Sequence, residues 1–333
     1  MDILNWGVIG SSNVAKKHVD SLLKLDGVAL KSISDPFFDK TMNLKGNMDF
    51  YHNYKEMIIG GGLDIVSVCS PTHMHFDMAK TLLSCGIHVL LEKPPCLHLD
   101  ELAELEDISL TTKAKVFNVL QYRFNPVINC LKLLLDDNLL GKPLTVNILV
   151  SWKRKPEYYL ESDWRGKKSL EGGMLFNQLF HHLDLLTFLF GEILPKKKLA
   201  DRLSYNFLET EDTVSLLLRA KEGPLINLTA TVAGFGTNTE NLDIITEKAR
   251  IRLSGKRLSN IELLESSSDI YAFLSDNDYL SAKSERDIDA YLYTALIEHV
   301  LRDLKGLHSL APRLSDVLPS VSIASSLNSE LYK

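Results

Sequence analysis

Strand and helix patterns alternate along residues 1–121, and this alternation restricts the fold more than any other feature. LNWGVIG reads as a strand running into Gly10. Val14 to Leu25 places apolar residues at helical spacing. VALKSISD is a second strand, ending at Asp35. Asp64 to Cys69 is a strand stopped by Ser70-Pro71. MHFDMAKTLLSCG is a helix with Gly86 just past its end, a common capping position for glycine. IHVLLEK, a helix over Leu99 to Leu110, and the strand KVFNVLQ continue the series. Repeated strand–helix–strand units imply a parallel sheet covered on both faces. Right-handed crossovers then give an α/β, doubly wound domain.

After Gln121 the pattern changes. PVINCLKLLLDDNLLG is an amphipathic helix with a glycine stop, and LTVNILVSW is a long strand. A polar, aromatic loop follows. MLFNQLFHHLDLLTFLFG reads as one helix ended by Gly191. DTVSLLLRA, LINLTATVA, LDIITEKARIRLSG and RLSNIELLE are strand-like runs with glycine turns. They predict a large, mostly antiparallel sheet, open on one face. Lys196-Lys197-Lys198 reads as a solvated turn, and the tail from Arg286 as two helices around Pro312. The change of pattern predicts one domain over residues 1–121 and a second over 122–333.

The 333 residues carry a net charge of -6, which disfavours non-specific binding to nucleic acid. No apolar run reaches the ~18 residues of a membrane helix. The start, MDILNWGVIG, lacks the basic segment and cleavage site of a secretory leader, so a cytoplasmic location is expected. Cys69, Cys85, Cys96 and Cys130 form no CxxC pair. They read as buried free thiols in a reducing compartment.

The turn after the first strand is Gly10-Ser11-Ser12-Asn13-Val14-Ala15. A dinucleotide fingerprint is GxGxxG or GxGxxA. Ser12 replaces the glycine that normally lets the backbone approach a pyrophosphate, but its hydroxyl offers a donor to a phosphate oxygen. Asp35, about 20 residues further on, stands where an acid receives ribose hydroxyls. Its charge repels a 2′-phosphate and so favours NAD over NADP. The alternative for Asp35 is a turn aspartate before Pro36.

Ser70-Pro71-Thr72-His73 and Glu92-Lys93-Pro94 both follow parallel strands. Ligands in open α/β sheets bind outside the carboxyl ends of strands, which puts Lys93 on the binding edge. A lysine there favours a developing oxyanion. His73 and His75 have no evident third metal ligand, so no metal is expected. Cofactor contact or packing suits them better.

Taken in order, GSSNVA, Asp35, SPTHMH and EKP resemble the Gfo/Idh/MocA family of NAD(P)-dependent oxidoreductases over nearly the whole length. The resemblance implies a Rossmann domain followed by an α/β domain. The large open sheet of that second domain packs against another subunit, giving a homodimer or homotetramer. Closing helices return to the first domain. Cofactor-binding roles are implied for Gly10, Ser12, Asn13, Val14, Asp35, Ser70, Pro71, His73, His75, Glu92, Lys93 and Gln121, with Trp164 and Arg165 near the nicotinamide. In EGGMLFNQLFHHLD the family carries an acid and, four residues later on the same helix, a histidine. Here the pair is Asn177 and His181. By resemblance, His181 is the general acid/base and Lys93 its catalytic partner. A packed histidine is the other reading, and His182 is the weaker candidate.

Asn177 in place of aspartate looks like the branch acting on nucleotide-linked sugars, including UDP-N-acetylglucosaminuronate 3-dehydrogenases. Arg154, Tyr158, Tyr159, Trp164, Arg165 and Lys167 concentrate cationic and aromatic groups in the intervening loop. Arginine suits carboxylate and phosphate. Substrate contacts are expected from Lys93, Arg123, Arg154, Tyr158, Tyr159, Lys167, Asn177 and His181. For Arg123, an interdomain salt bridge is the alternative. The expected function is hydride transfer between NAD and a secondary alcohol or ketone of a nucleotide-linked sugar or sugar acid in glycan precursor synthesis. The alternatives are a free-sugar or inositol dehydrogenase and a non-catalytic dinucleotide-binding regulator.

Overall fold

The computed structural model describes residues 3–37, 48–266, 270 and 288–331. The chain divides into two compact units. One holds residues 1–121 and 289–318, the other residues 122–288 and 319–333.

The first unit is built on strands β1 (Leu4–Ile9), β2 (Val28–Ser34), β3 (Asp49–Tyr51), β4 (Ile65–Val68), β5 (His88–Leu91) and β6 (Val116–Asn118). All pair in parallel, in the order β3-β2-β1-β4-β5-β6. Helices α1 (Asn13–Leu22), α2 (Tyr54–Gly60), α3 (His75–Ser84) and α4 (Leu99–Thr112) connect them. The central strands are buried along their length: Val8, Ile65, Val66, Val68, Val89, Leu90 and Leu91 have no exposure. Covering both faces of a parallel sheet demands such continuous apolar runs. Each fully buried aliphatic contributes roughly 1.5–3 kcal/mol. The short edge strand β3 and helix α2 carry no strong periodic signal and were not expected from the sequence.

The second unit begins with α5 (Pro126–Asp136), which Asn125 caps by accepting from the Val127 amide at 2.9 Å. Strand β7 (Pro143–Ser151) follows. The loop expected next contains two single-turn helices, α6 (Glu157–Leu160) and α7 (Lys168–Glu171). The single helix expected after it is two, α8 (Gly173–Asn177) and α9 (Phe180–Phe190). The Met174 carbonyl accepts from both the Gln178 amide (3.0 Å) and the Leu179 amide (2.8 Å). The second bond reaches five residues back and widens the turn.

Strands β8 (Ile193–Asp201), β9 (Thr213–Ala220), β10 (Leu225–Thr231), β11 (Thr239–Thr246), β12 (Ala249–Ser254) and β13 (Asn260–Ser266) complete a sheet in the order β13-β12-β11-β7-β10-β9-β8. All its pairs are antiparallel except β10 with β7. LDIITEKARIRLSG, read as one run, folds into the β11–β12 hairpin. Burial alternates along β9 and β10, as one covered and one open face require. Lys196, Lys197 and Lys198 lie within β8 rather than in a turn. That strand is a sheet edge, where lysines discourage further strand pairing. Two last helices, α10 (Ile288–Leu304) and α11 (Leu314–Leu331), flank Pro312 as expected, while Arg286 lies outside the described residues.

All four cysteines are unpaired, and Cys85 is exposed rather than buried, because it follows the last turn of α3. Burial pushes the Cys69 thiol well up and those of Cys96 and Cys130 up to about 12, so these three stay protonated near neutral pH. No helix among the described residues is long and apolar enough to cross a membrane.

Candidate active site

In the first unit, the candidate residues gather where the parallel strands end. Gly10 holds φ 105° as β1 turns into α1, and its amide donates to the Ser34 carbonyl at 2.8 Å. A Cβ there would lie 2.8 Å from the Cys69 carbonyl oxygen, so the turn admits only glycine. Ser12 precedes α1 in an extended conformation and does not cap it. Asn13 and Val14 open the helix, whose first turn holds no acidic residue. An uncapped helix start of this kind suits an anion. The Asp35 carboxylate accepts from the Ser11 hydroxyl at 2.7 Å and the Phe37 amide at 2.8 Å, which fixes it beside the glycine turn.

Two further polar groups end strands here. The buried Ser70 hydroxyl, after β4, has no hydrogen-bond partner among the described residues. The same holds for both ends of the Asn118 amide, on β6. Buried polar groups are rarely left unbonded, and these orphaned atoms fit a polar ligand. Asn118 went unnoticed in the sequence, where the only signal is a polar residue closing an apolar strand.

Lys93 follows β5 and joins Pro94 through a cis peptide bond. Its neighbour Glu92 is buried in a network of its own. His18 Nε2 lies 3.1 Å from Glu92 Oε1, and His18 Nδ1 lies 3.0 Å from the Ser67 hydroxyl. Trp6 Nε1 donates to that hydroxyl at 2.8 Å. The Tyr293 hydroxyl and the Lys93 amide donate to the two Glu92 oxygens, at 3.0 and 3.1 Å. Burial pushes the Glu92 carboxyl up, but His18 and Lys93 outweigh it and hold the group below the ordinary carboxylate range.

In the second unit, His181 and His182 are buried in the first turn of α9. The His181 imidazole stacks on the Tyr122 ring, with centroids 5.0 Å apart and planes 10° from parallel. Asn177 closes α8, and its amide nitrogen donates to the buried Glu171 carboxylate. Arg165 Cζ lies 4.3 Å from the Tyr158 ring centroid and 5.0 Å from that of Trp164. Arg154 Cζ lies 5.4 Å from Tyr158 and 4.8 Å from Trp152. The two guanidiniums and the Tyr158 ring form one cationic–aromatic ladder. Neither arginine has a carboxylate partner among the described residues, and the Nε atoms of both are buried and unbonded. Lys167 is exposed.

Residues 4–119 match the family model described as "Oxidoreductase family, NAD-binding Rossmann fold", and residues 128–252 match the "GFO/IDH/MocA C-terminal domain". The chain belongs to the Gfo/Idh/MocA family. An uncharacterised oxidoreductase of Synechocystis sp. is 31% identical over 185 residues, covering 54% of this chain and 48% of that protein. A Formosa agariphila oxidoreductase is 29% identical over 59% of this chain, which in turn spans 63% of its length. The chain thus spans only about half to three fifths of these two relatives. A myo-inositol 2-dehydrogenase of Thermotoga maritima is 26% identical, with 86% of this chain and 84% of the relative covered. Among solved structures, the Bordetella pertussis WlbA dehydrogenase in complex with NADH and UDP-GlcNAcA superposes with a TM-score of 0.88. It is 22% identical, with 99% of this chain and 96% of that one covered, a likeness of fold.

Several roles that the Gfo/Idh/MocA resemblance implied meet a different geometry here. Arg123 forms a two-point pair with Asp184 (2.8 and 3.1 Å) inside the second unit, which engages the guanidinium that was expected to meet substrate. His75 lies in α3 with Nδ1 2.7 Å from the Pro94 carbonyl and Nε2 2.9 Å from that of Ser70. It braces the two strand-end loops instead of facing a ligand. Burial pushes its imidazole down, against the pull of the two carbonyls. Glu92 likewise serves its internal network. Pro71 precedes a 3₁₀ turn that leaves His73 exposed. Gln121 is buried at the start of another such turn. Tyr159 is buried against Tyr158, Tyr205 and Phe207, a packing role. Asn177 and His181 sit on separate helices. Among the described residues, no group of three or more His, Cys, Asp or Glu is arranged to hold a metal ion.

Proposed function

We propose that this chain is an NAD-dependent oxidoreductase acting on a secondary alcohol or ketone of a sugar, and that the sugar is nucleotide-linked. The observation that carries the substrate class is the Arg154–Tyr158–Arg165 ladder. Two guanidiniums without carboxylate partners among the described residues suit a diphosphate or a sugar carboxylate, and the ring between them suits stacking on a sugar or base. The WlbA complexes from Bordetella pertussis and Chromobacterium, both with NADH and UDP-GlcNAcA, support the same reading.

The residues that fit the dinucleotide are the Gly10 turn, the start of α1 with Ser12, Asn13 and Val14, and Asp35 for the ribose hydroxyls. Ser70, Gln121 and Asn118 offer polar groups to the same ligand, and Trp164-Arg165 remains a proposed contact. When bound, the nicotinamide supplies the hydride acceptor. His181 takes the proton of the reacting hydroxyl, a role that contributes ~10²–10⁴-fold. Lys93 donates to the oxygen as negative charge develops on it. Ketone reduction uses the same two groups with the proton moving the other way. Asn177, held by Glu171, acts as a hydrogen-bonding group and not as a base.

A second reading, a dehydrogenase of free polyols or sugars, draws on the myo-inositol 2-dehydrogenase that matches 86% of this chain. We further propose a homodimer or homotetramer through the open face of the seven-stranded sheet, where Leu149, Leu199, Leu217 and Leu225 are exposed.

The test is a fluorescence titration with NADH and NADPH, repeated with UDP-sugars and with myo-inositol. Tight NADH and weak NADPH binding, with a response to UDP-sugars alone, is expected. A response to myo-inositol alone would replace the nucleotide-sugar reading with the polyol one. Binding of neither dinucleotide would remove the enzyme reading.

A further inference from the structure

His181 does not stand alone in its unit. The ring beneath it belongs to Tyr122, a fully buried residue for which no role of its own was expected from the sequence. The Tyr122 hydroxyl donates to Glu240 Oε2 at 2.7 Å, and Arg257 Nη1 donates to the same hydroxyl at 3.1 Å. The Arg257 guanidinium also lies over the ring, 5.4 Å from its centroid. His182 meets the ring edge-on at 5.8 Å and 71°, with its Nε2 3.4 Å from Glu240 Oε2. The tyrosine is therefore held at its tip by two opposite charges and along one edge by an imidazole.

The third support is a strained backbone. Arg257 and Leu258 adopt φ of 60° and 57°, a left-handed conformation that non-glycine residues rarely take. The Asn125 side chain holds this turn by donating to the Arg257 carbonyl at 2.7 Å. Such conformations cost of order 1–3 kcal/mol and persist where surrounding structure fixes them, often at functional sites. Here the turn delivers a guanidinium to the Tyr122 hydroxyl. Burial pushes the Tyr122 phenol well up, so it stays protonated and can donate to Glu240. Burial pushes the Glu240 carboxyl up as well, but His182, Arg257 and Tyr122 outweigh it and keep the group ionised.

We propose that Tyr122 is the positioning residue for His181: its ring is a platform that sets the plane of the imidazole, and Glu240 with Arg257 pins that platform at the hydroxyl. The inference rests on His181 being the acid/base group proposed above for its catalytic consequence, but not for its structural one. Misplacing a reacting group by about 1 Å can cost ~10²-fold in rate, which gives a fixed platform its value.

The test reads the two consequences separately. In protein carrying isotope-labelled histidine, the His181 ring resonances are identified by their loss in His181→Gln. They should be displaced by the Tyr122 ring current in the native protein; in Tyr122→Phe they should stay displaced but broaden, because the ring remains and its pinned hydroxyl is gone. In Tyr122→Leu they should move toward ordinary histidine positions. The Leu variant should also lose roughly 10–100-fold in kcat with little change in KM, because a transition-state alignment is lost and not substrate binding. Unchanged His181 resonances in a natively folded Tyr122→Leu would overturn the proposal. If that variant does not fold, Glu240→Leu, which removes the acceptor of the Tyr122 hydroxyl, carries the test. Releasing the hydroxyl should shift and broaden the His181 signals, and unaltered signals reject the platform. An absence of turnover with any sugar would count against the proposed function and leave the resonance result to decide Tyr122.

Discussion

The two units hold their candidate catalytic side chains by different physics. In the first, Lys93 follows a buried parallel strand, and the residue before it is locked by hydrogen bonds to His18, Tyr293 and the Lys93 amide itself. In the second, His181 rides on a short helix and is oriented by contact with an aromatic ring, itself anchored by residues far along the chain. Lys93 is thus held by a strand end and a closed polar network, and His181 by packing within a sheet-containing unit. Polar networks are sensitive to loss of a single partner, because the remaining buried charge is left uncompensated. Ring platforms are sensitive to shape.

The largest expected effect attacks the first kind of support. His18→Leu removes the imidazole that hydrogen-bonds Glu92, and the pair is almost wholly buried, at 0% and 7% side-chain exposure. Stranding a buried charge costs about 3–5 kcal/mol, which should appear as a lower urea midpoint. The pH dependence has a definite sign. The Glu92 carboxyl is held below its ordinary value of 4.5 in the folded protein, so its contribution is present above that pH and is lost as pH falls through the folded value. In His18→Leu this acid-labile part should shrink. A variant as stable as the native protein at every pH would mean that the network does not bear on the strand end.

Lys93→Met should lower kcat by about 10²–10³-fold, the usual cost of removing a donor to a developing oxyanion. Its urea midpoint should fall less than that of His18→Leu, because Lys93 supports the Glu92 carboxylate less than His18 does. A Lys93 variant that loses stability but keeps its turnover would merge the two roles that the first unit separates.

The smallest effect concerns His75, the brace between the Ser70 and Pro94 carbonyls. Its folded imidazole titrates below the ordinary 6.5, because burial disfavours the charged form. The folded state thus resists protonation, and stability falls as pH drops below 6.5 toward the folded value. His75→Gln should cost about 1 kcal/mol near neutral pH, the typical net worth of a hydrogen bond. It should also flatten the melting temperature between pH 6.5 and 5. An equally steep slope in the variant would assign that acid sensitivity to other groups.

Much of the architecture was legible in the residues. The continuous apolar runs of β1, β4 and β5 announced a parallel sheet covered on both faces, and the alternation in β9 and β10 announced one open face. The string from GSSNVA to EKP carried the family. Local signals failed where neighbours intervened. MLFNQLFHHLDLLTFLFG has unbroken helical character, yet the Met174 carbonyl accepts from two amides and the helix divides. Lys196 to Lys198 look like a turn in isolation, but pairing with β9 makes them an edge strand.

By itself, then, the sequence determined what short-range rules govern: strand and helix periods, the glycine required at position 10, and the order of motifs that marks a Gfo/Idh/MocA chain. Only the tertiary structure decided which polar groups meet. Asp184 takes up Arg123 across 61 positions, and Glu240 takes up Tyr122 across 118. A glutamate in a strand carries no local sign of the phenol it will accept from. Such pairings follow from the packing of whole elements, and burial then makes each of them obligatory, since a polar group removed from water must find a partner.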